Sequence, residues 1–202
     1  MFVVFKSSCL LFEVCCLFIV IIFVIIQHLA LTKKIGILSD THGYINPALF
    51  TFFENCDELW HAGDWGDIQT VETLQKFKPT KSVYGNIDGH EIRKEYPEVN
   101  LFTVEELKVC LIHIGGYPGK YSSVFGKILQ SEKPDIMVCG HSHILKVMRD
   151  AKNQLMHFNP GACGNKGFHE ICTAIRMKIE GKRMFDLEVW EHKRNEIEAT
   201  NL

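Results

Sequence analysis

The sequence predicts an α/β fold in which two facing, mixed sheets are flanked by helices. In the first part of the body, short apolar runs alternate with segments of helical spacing, a pattern typical of parallel strands joined by crossover helices. The second part consists mainly of short strands separated by turn residues. Polar residues able to bind metal ions follow several of these strands, at the sheet edge where α/β proteins bind their ligands.

Composition and charge exclude some classes of partner. The 202 residues include 22 basic and 24 acidic side chains, which are intermixed and give a formal net charge of −2. Because the chain has no broad positive field, we expect no polymeric nucleic acid as a partner. Three of the eight cysteines lie in the apolar N-terminal stretch, and the other five are scattered without a CxxC pair. They are predicted to be small buried side chains in a reducing, cytoplasmic compartment.

The chain is predicted to divide into an apolar segment, residues 1–31, and a domain, residues 32–202. The uninterrupted apolar run, Val14 to Ile26, is shorter than the roughly 20 residues that a spanning helix prefers. No A-x-A site follows it, which argues against a cleaved signal peptide. A buried or amphipathic helix is disfavoured, since the run has no polar face. Two alternatives stay open: a single-pass membrane anchor, or a start assigned too far upstream of a natural protein that begins near Leu31.

The first half of the domain is predicted to form a strand–helix–strand–helix–strand run. The strands are Lys33–Ser39, Glu58–Ala62 and Lys81–Tyr84, and the helices run from Pro47 to about Glu54 and from Ile68 to Phe77. Pro47 suits a first helical turn, and Pro79 ends the second helix. Such a run forms a largely parallel sheet with right-handed crossovers.

The second half is predicted to be richer in strands. Asn100–Val104 and Leu107–Ile114 form an antiparallel pair, followed by a glycine-rich loop at 115–119. The remaining predicted elements are a helix at Ser122–Ser131 and strands at Asp135–Cys139, Leu145–Arg149, Gln154–Phe158, His169–Ile179 and Met184–His192.

Five short clusters at the predicted strand ends carry the functional signal. They are Asp40-Thr-His42, Gly63-Asp64, Gly85-Asn86, His113 and Gly140-His-Ser-His143. Each alone is weak evidence, because most resemble ordinary turns and His113 alone is compatible with a core histidine. Together they bring seven carboxylate, amide and imidazole side chains to one edge, with no thiolate. This set suits Mn, Fe, Co, Ni or Zn in a catalytic rather than a structural site.

In this order the clusters resemble the signature of the calcineurin-like metallophosphoesterase superfamily, and specifically its small YfcE-type phosphodiesterases. The resemblance covers Lys33 to about His192 and implies a four-layer αββα sandwich. It implies that the first metal is held by Asp40, His42 and His143, that Asp64 bridges, and that Asn86, His113 and His141 hold the second metal. We also expect Asp64, Asn86 and His113 to act in catalysis.

The resemblance implies hydrolysis of a phosphodiester by a hydroxide that bridges two divalent ions. We expect Mn first, with Ni, Fe, Co or Zn as alternatives. The expected partner is a small phosphorylated substrate, and a diester is favoured because the motif regions contain no arginine to clamp a monoester. A phosphomonoesterase or nucleotidase on the same site is one alternative. The other is a non-catalytic scaffold like the retromer subunit Vps29, which has this fold.

The chain departs from the family pattern near the site. The segment Gly85-Asn-Ile-Asp88 replaces the Gly-Asn-His-[Asp/Glu] of larger members, which leaves the proton donor to the leaving group unassigned. Asp88 and His90 are candidates, although Asp88 is better interpreted as a turn or salt-bridge residue. His113-Ile-Gly-Gly116 replaces His-Gly-His, and Asn159-Pro-Gly-Ala162 replaces Asn-Pro-Gly-Ser, and both changes bear on substrate choice. The loop 115–120 and Lys166 are the nearest candidates for contact with substrate.

Overall fold

The structure, a computed structural model, describes residues 32–194. The predicted apolar segment 1–31 lies outside the described residues, and so does the choice between an anchor and an upstream start. Among residues 32–194, no helix combines the length and the apolar character needed to cross a membrane.

The described residues form twelve strands and four helices. The strands are β1 (Lys33–Leu38), β2 (Glu58–His61), β3 (Thr80–Ser82), β4 (Val99–Val104), β5 (Leu107–Ile112), β6 (Gly116–Tyr117), β7 (Lys120–Tyr121), β8 (Ile136–Val138), β9 (Leu145–Asp150), β10 (Leu155–Pro160), β11 (Ile171–Glu180) and β12 (Arg183–Lys193). The helices are α1 (Ala48–Phe53), α2 (Ile68–Phe77), α3 (His90–Glu95) and α4 (Ser123–Ser131).

The strands form two five-stranded mixed sheets and one small hairpin. The first sheet has the order β12-β11-β1-β2-β3, with β1, β2 and β3 parallel and β11 and β12 antiparallel to their neighbours. The second has the order β4-β5-β8-β10-β9, with β5, β8 and β10 parallel at its centre. The parallel run predicted for the first half and the predicted antiparallel pair β4–β5 are both present.

The two sheets pack face to face and helices cover their outer faces. Ile35 and Trp60 of the first sheet belong to one buried apolar cluster with Val109 and Ile136 of the second. The outer face of the first sheet is covered by α1, α2 and α3, and that of the second by α4, whose Phe125 is fully buried. Burial of apolar surface on both faces of each sheet stabilises this arrangement. The predicted four-layer αββα sandwich is confirmed.

Two short elements were not predicted. Helix α3 has six residues, of which only Ile92 is buried, and its N-cap residue is Gly89, which has no capping side chain. Such a segment has no apolar periodicity from which a helix could be recognised. The hairpin β6–β7 begins in the predicted glycine-rich loop 115–119 and extends to Tyr121, and its Gly116 adopts a positive φ of 79°.

Strand ends differ from the predictions by at most two residues. The third strand is Thr80–Ser82 instead of Lys81–Tyr84, because it pairs with β2 through three residues only. The strand β5 ends at Ile112, so His113 lies just beyond it.

The five cysteines of the described part of the chain are unpaired and buried, as predicted. Burial raises the pKa of Cys56 to about 11 and that of Cys110 to about 12. These thiols are therefore protonated at neutral pH and behave as small apolar side chains.

Candidate metal centre

The predicted metal ligands lie in loops that follow five strands of the two sheets. Because the parallel strands of each sheet end at one edge, the loops after β1, β2, β3, β5 and β8 meet there. Backbone hydrogen bonds connect the first two loops: the N–H of Asp40 donates to Gly63 O at 3.0 Å, and that of His42 donates to Asp64 O at 3.0 Å. The two sheets are connected through Asp40, whose Oδ2 accepts the N–H of His141 at 3.2 Å.

Asp40, His42 and His143 form a first group of potential ligands, whose ligand atoms lie within 4.8 Å of one another. The Nε2 atoms of His42 and His143 are 3.3 Å apart, and Nε2 of His143 is 3.2 Å from Oδ1 of Asp40. Asp40 is fully buried, yet its Oδ1 accepts no hydrogen bond. A buried carboxylate oxygen without a donor is costly unless a cation neutralises it. This group therefore fits a metal ion.

Asp64, Asn86, His113 and His141 form a second group. Nε2 of His113 lies 3.2 Å from Oδ1 of Asp64 and 3.0 Å from Oδ1 of Asn86, and Nδ1 of His141 lies 2.8 Å from the same amide oxygen. Nδ1 of His113 is 2.7 Å from the carbonyl of Ala62, which can only accept. The proton of a neutral His113 is thus on Nδ1, and Nε2 presents a lone pair to two acceptor oxygens. Such a cluster of acceptors also fits a divalent cation.

Asp40 belongs to both groups, since its carboxylate also lies within 4.8 Å of the ligand atoms of Asp64 and His113. The structure thus brings together the seven residues predicted as ligands. Asp40, Asp64 and His113 are buried, His42 and His143 are half-buried, and Asn86 and His141 are exposed toward the open side.

Five of the seven predicted ligands share an uncommon backbone conformation. Nine non-glycine residues among 32–194 have a positive φ, and five of them are predicted ligands. These five are Asp40, His42, Asp64, His141 and His143, with φ between 50° and 67°. Each costs on the order of 1–3 kcal/mol, and such residues concentrate at functional sites.

Two glycines allow the loops to approach one another. A Cβ at Gly85 would collide with the carboxylate and backbone N of Asp64, and one at Gly140 would collide with Ser39 beside Asp40. The motifs Gly-Asn and Gly-His therefore need glycine for close packing between loops.

Burial and the two carboxylates act in opposite directions on the imidazoles of the site. Burial lowers the pKa of His42, against the opposing effect of Asp40 and Asp64, which favours the neutral ligand form. Burial would also lower the pKa of His113, but the close contact with the Asp64 carboxylate and the charge of Asp40 raise it overall. For Asp64, burial would raise the pKa, yet the contact with His113 and the N–H of Ile87 lower it, so this carboxylate is ionised.

His61 supports the centre without being one of its predicted ligands. It is fully buried and stacks on Trp65 with ring centroids 3.6 Å apart. Its Nδ1 accepts the N–H of Gly63 at 3.1 Å, so Nε2 carries the proton and donates to Oγ1 of Thr41 at 3.0 Å. His61 thereby joins the loops that carry Asp40 and Asp64. The sequence does not predict this role, because an isolated strand histidine carries no motif signal.

Asp88 connects the loop after β2 to the loop after β3. One carboxylate oxygen accepts the N–H of Gly66 at 3.0 Å and the other that of Gly85 at 2.7 Å. Asp88 is only 3% exposed, and both oxygens are occupied. The interpretation as a turn residue therefore holds in the structure, and its role is to position the loops after β2 and β3.

The expectation that no arginine lies near the site is wrong. Arg93 of α3 reaches back over the third loop, where Nη2 donates to Gly85 O at 3.1 Å and to Asn86 O at 3.2 Å, and Nε donates to Asp88 O at 2.7 Å. The residue was missed because it belongs to the helix that the sequence did not predict. The absence of an arginine clamp thus no longer supports a diester over a monoester.

The candidates for contact with substrate lie near different predicted ligands. Part of the loop 115–120, including Tyr117, lines a cavity together with His141. Lys166 is exposed on the loop after β10, and its charge adds to burial in lowering the pKa of His42.

Comparisons with known proteins point to one superfamily. The model of the calcineurin-like phosphoesterase superfamily domain matches residues 34–182. A protein of Methanothermobacter thermautotrophicus named probable metallophosphoesterase is 30% identical over 160 residues, which cover 77% of this chain and 90% of that protein. A protein of Methanocaldococcus jannaschii named phosphodiesterase is 28% identical over 146 residues, which cover 64% of this chain and 84% of that protein.

A similar fold occurs in the crystal structure of a Vps29 single mutant from Entamoeba histolytica. The TM-score is 0.64 at 14% identity, with 80% of this chain and 99% of that chain covered. At this level of identity the likeness concerns the fold alone.

Proposed function

The chain belongs to the calcineurin-like phosphoesterase superfamily, and from this premise we propose that it is a two-metal-ion phosphodiesterase acting on small substrates. The observation that carries the proposal is a convergence of acceptor atoms at the strand ends. Oδ1 of Asp40 is buried and unpaired, and the lone pair of His113 faces the oxygens of Asp64 and Asn86.

In this proposal the residues divide between two ions as the family resemblance implies. Asp40, His42 and His143 would hold one ion, Asn86, His113 and His141 would hold the other, and Asp64 would bridge, while the carboxylate of Asp40 also lies within reach of both groups. Two such ions lower the pKa of a water nucleophile and stabilise the charge of the phosphoryl group. The hydrogen bond from His113 Nδ1 to Ala62 O orients the ring and keeps Nε2 free for its ligand role.

The preference for a diester is supported by two features. A relative that shares 28% identity over 146 residues is named a phosphodiesterase. In addition, cavities lie on both sides of the predicted second metal. We further infer that Mn²⁺ is the preferred ion, since the ligands are carboxylate, amide and imidazole groups without thiolate. The unpaired, buried cysteines of residues 32–194 favour a cytoplasmic setting.

The test uses the full chain purified in mild detergent without chelator. After reconstitution with Mn²⁺, elemental analysis is expected to give close to two ions per chain. Bis(4-nitrophenyl) phosphate is expected to be hydrolysed with a kcat/KM at least tenfold above that of 4-nitrophenyl phosphate.

Each contrary result has a distinct meaning. A metal content near zero after reconstitution would refute the metal centre. Faster hydrolysis of the monoester would replace the diesterase by a phosphomonoesterase. Two bound ions without turnover of either ester would favour the scaffold alternative.

A further inference from the structure

Two cavities flank the metal centre, one on each side of Ile114. The first has a volume of about 230 Å³ and reaches His141. The second has a volume of about 390 Å³ and reaches Asn86 and His113. These three residues are the proposed ligands of one ion. A phosphate bound at that ion would therefore have a cavity on each side, with Ile114 as the shared wall.

The first cavity is largely apolar. Ile114, Tyr117 and Ile144 line it, and their side chains are 45%, 43% and 50% exposed. Nζ of Lys146 lies 4.4 Å from the centroid of the Tyr117 ring, so this cation rests on the aromatic face. A cavity of roughly 150 Å³ is large enough for benzene, so an aromatic ring fits in this one. An aromatic group would cover apolar side chains that are otherwise in contact with water.

The second cavity has a more polar lining than the first. Arg93 and Glu98 line it with the hydroxyl-bearing Ser123, and all three are exposed. The guanidinium of Arg93 is held in place by the carbonyls of the third loop, and Glu98 accepts the hydroxyl proton of Tyr84 at 3.4 Å. A hydroxylated group would find both fixed donors and fixed acceptors here.

We propose that the substrate is an unsymmetrical phosphodiester, with an aromatic arm in the Tyr117 cavity and a hydroxylated arm in the Arg93 cavity. This inference rests on the proposed diesterase function, because a monoester has only one arm and would leave one cavity empty. The contrast between the two linings makes the two arms chemically different.

The test compares two aryl diesters that differ only in their second arm. Thymidine 5′-(4-nitrophenyl phosphate) carries a hydroxylated sugar, whereas methyl 4-nitrophenyl phosphate carries a methyl group. With the Mn²⁺-reconstituted full chain, the release of 4-nitrophenolate is expected to show a kcat/KM at least tenfold higher for the thymidine ester.

Blocking variants assign each arm to its cavity. Val124→Trp narrows the second cavity. The ratio of the kcat/KM values for the two esters is then expected to fall close to one. Ile144→Trp narrows the first cavity and is expected to lower kcat/KM at least tenfold for both esters. Leu187→Trp is the matched control, because Leu187 is also an exposed apolar residue, 42% accessible, but lies on β12 away from both cavities.

A second readout does not depend on turnover. Saturation-transfer NMR with diphenyl phosphate and chelator-treated protein is expected to show transfer to the phenyl protons. The transfer should fall in Ile144→Trp and persist in Leu187→Trp.

Equal kcat/KM values for the two esters in the unmodified chain, or an unchanged ratio in Val124→Trp, would overturn the inference and leave the diesterase function intact. Hydrolysis of 4-nitrophenyl phosphate without hydrolysis of either diester would instead overturn the proposed function, and the inference with it.

Discussion

At the residue scale, the ligands combine coordinating side chains with a strained backbone. Left-handed φ values at five of the predicted ligands turn successive side chains toward one point. Aspartate and histidine tolerate this conformation better than most residues, but they do not adopt it without cost. In the proposed metal centre, this local cost in stability would fix the ligand geometry before a metal binds.

Replacing one strained ligand by glycine should stabilise the metal-free protein relative to alanine. His141 is exposed and has a φ of 67°, so its side chain contributes little packing. His141→Gly is expected to unfold with a free energy about 1 kcal/mol higher than His141→Ala. Urea unfolding in the presence of chelator measures the difference. A less stable glycine variant would show that the backbone at this position is not strained.

Loss of a buried carboxylate should lower the activity more than loss of a single imidazole. Asp64 faces His113 and Asp40 lies within reach of both ligand groups, whereas His143 belongs to one group only. Asp40→Asn and Asp64→Asn are each expected to lower kcat/KM at saturating Mn²⁺ by more than His143→Ala does, and by more than the roughly 10–100-fold typical of outer-sphere partners. Asp186→Asn, at an exposed surface ion pair with Lys178, is the control.

An Asp64→Asn variant with unchanged activity would remove Asp64 from the site. A large loss in Asp186→Asn would instead point to a general effect of lost surface charge.

His61 should make folding sensitive to acid. Its pKa is lowered well below the ordinary 6.5, because burial disfavours the charged ring and the charge of His113 adds to this effect. The unfolded chain takes up a proton below about pH 6.5, whereas folded His61 does not. The stabilising contribution is therefore present above that pH, and the free energy of unfolding falls by up to about 1.4 kcal/mol per pH unit below it.

The measurement is urea unfolding of the metal-free protein between pH 8 and pH 5.5. His61→Gln has no ring to titrate and should show a shallower decrease than the unmodified chain. If the free energy of unfolding fell equally steeply with decreasing pH in both proteins, folded His61 would take up a proton as readily as the unfolded chain.

At the scale of elements, loops at the strand ends position one another. The N–H groups of Gly66 and Gly85 both donate to the Asp88 carboxylate, which links the loops after β2 and β3. Helix α3 adds Arg93, whose guanidinium binds the carbonyls of the third loop. The position of Asn86 thus depends on groups outside its own motif.

Asp88→Asn should loosen these loops, since an amide provides only one oxygen for the two N–H groups. A decrease of about 10–100-fold in Mn²⁺ affinity is expected, measured by titration calorimetry, with the pH profile of kcat unchanged in shape. Normal metal affinity with loss of the basic limb of that profile would instead identify Asp88 as a general acid. His90→Ala, at the other candidate position, is the matched control.

At the scale of the whole molecule, the centre joins two sheets. Asp40, His42, Asp64 and Asn86 follow strands of the first sheet, and His113, His141 and His143 follow strands of the second. Metal binding is therefore expected to stabilise the packing of the sheets, by about 2.7 kcal/mol at a free metal concentration one hundredfold above Kd.

A chain that begins at Thr32 should still be stabilised by metal binding. The strand β1 begins at Lys33, the family match begins at residue 34, and the first predicted ligand is Asp40. We expect the shortened chain to be soluble and to show the same increase of Tm with Mn²⁺ as the full chain, measured by circular dichroism. Insolubility, or a smaller increase, would mean that residues 1–31 contribute to the folded domain.

The sequence by itself determined the fold class, the order of most strands and the seven candidate ligands. These features depend on local signals, since apolar periodicity marks the strands and each ligand directly follows a strand end. Only the tertiary structure decided which further groups surround the site. Arg93 reaches Asn86 from a six-residue helix without periodicity, and His61 joins two loops that are far apart in sequence. The left-handed ligand conformations and the cavities on either side of Ile114 likewise result from long-range packing of loops and sheets, which no local pattern encodes.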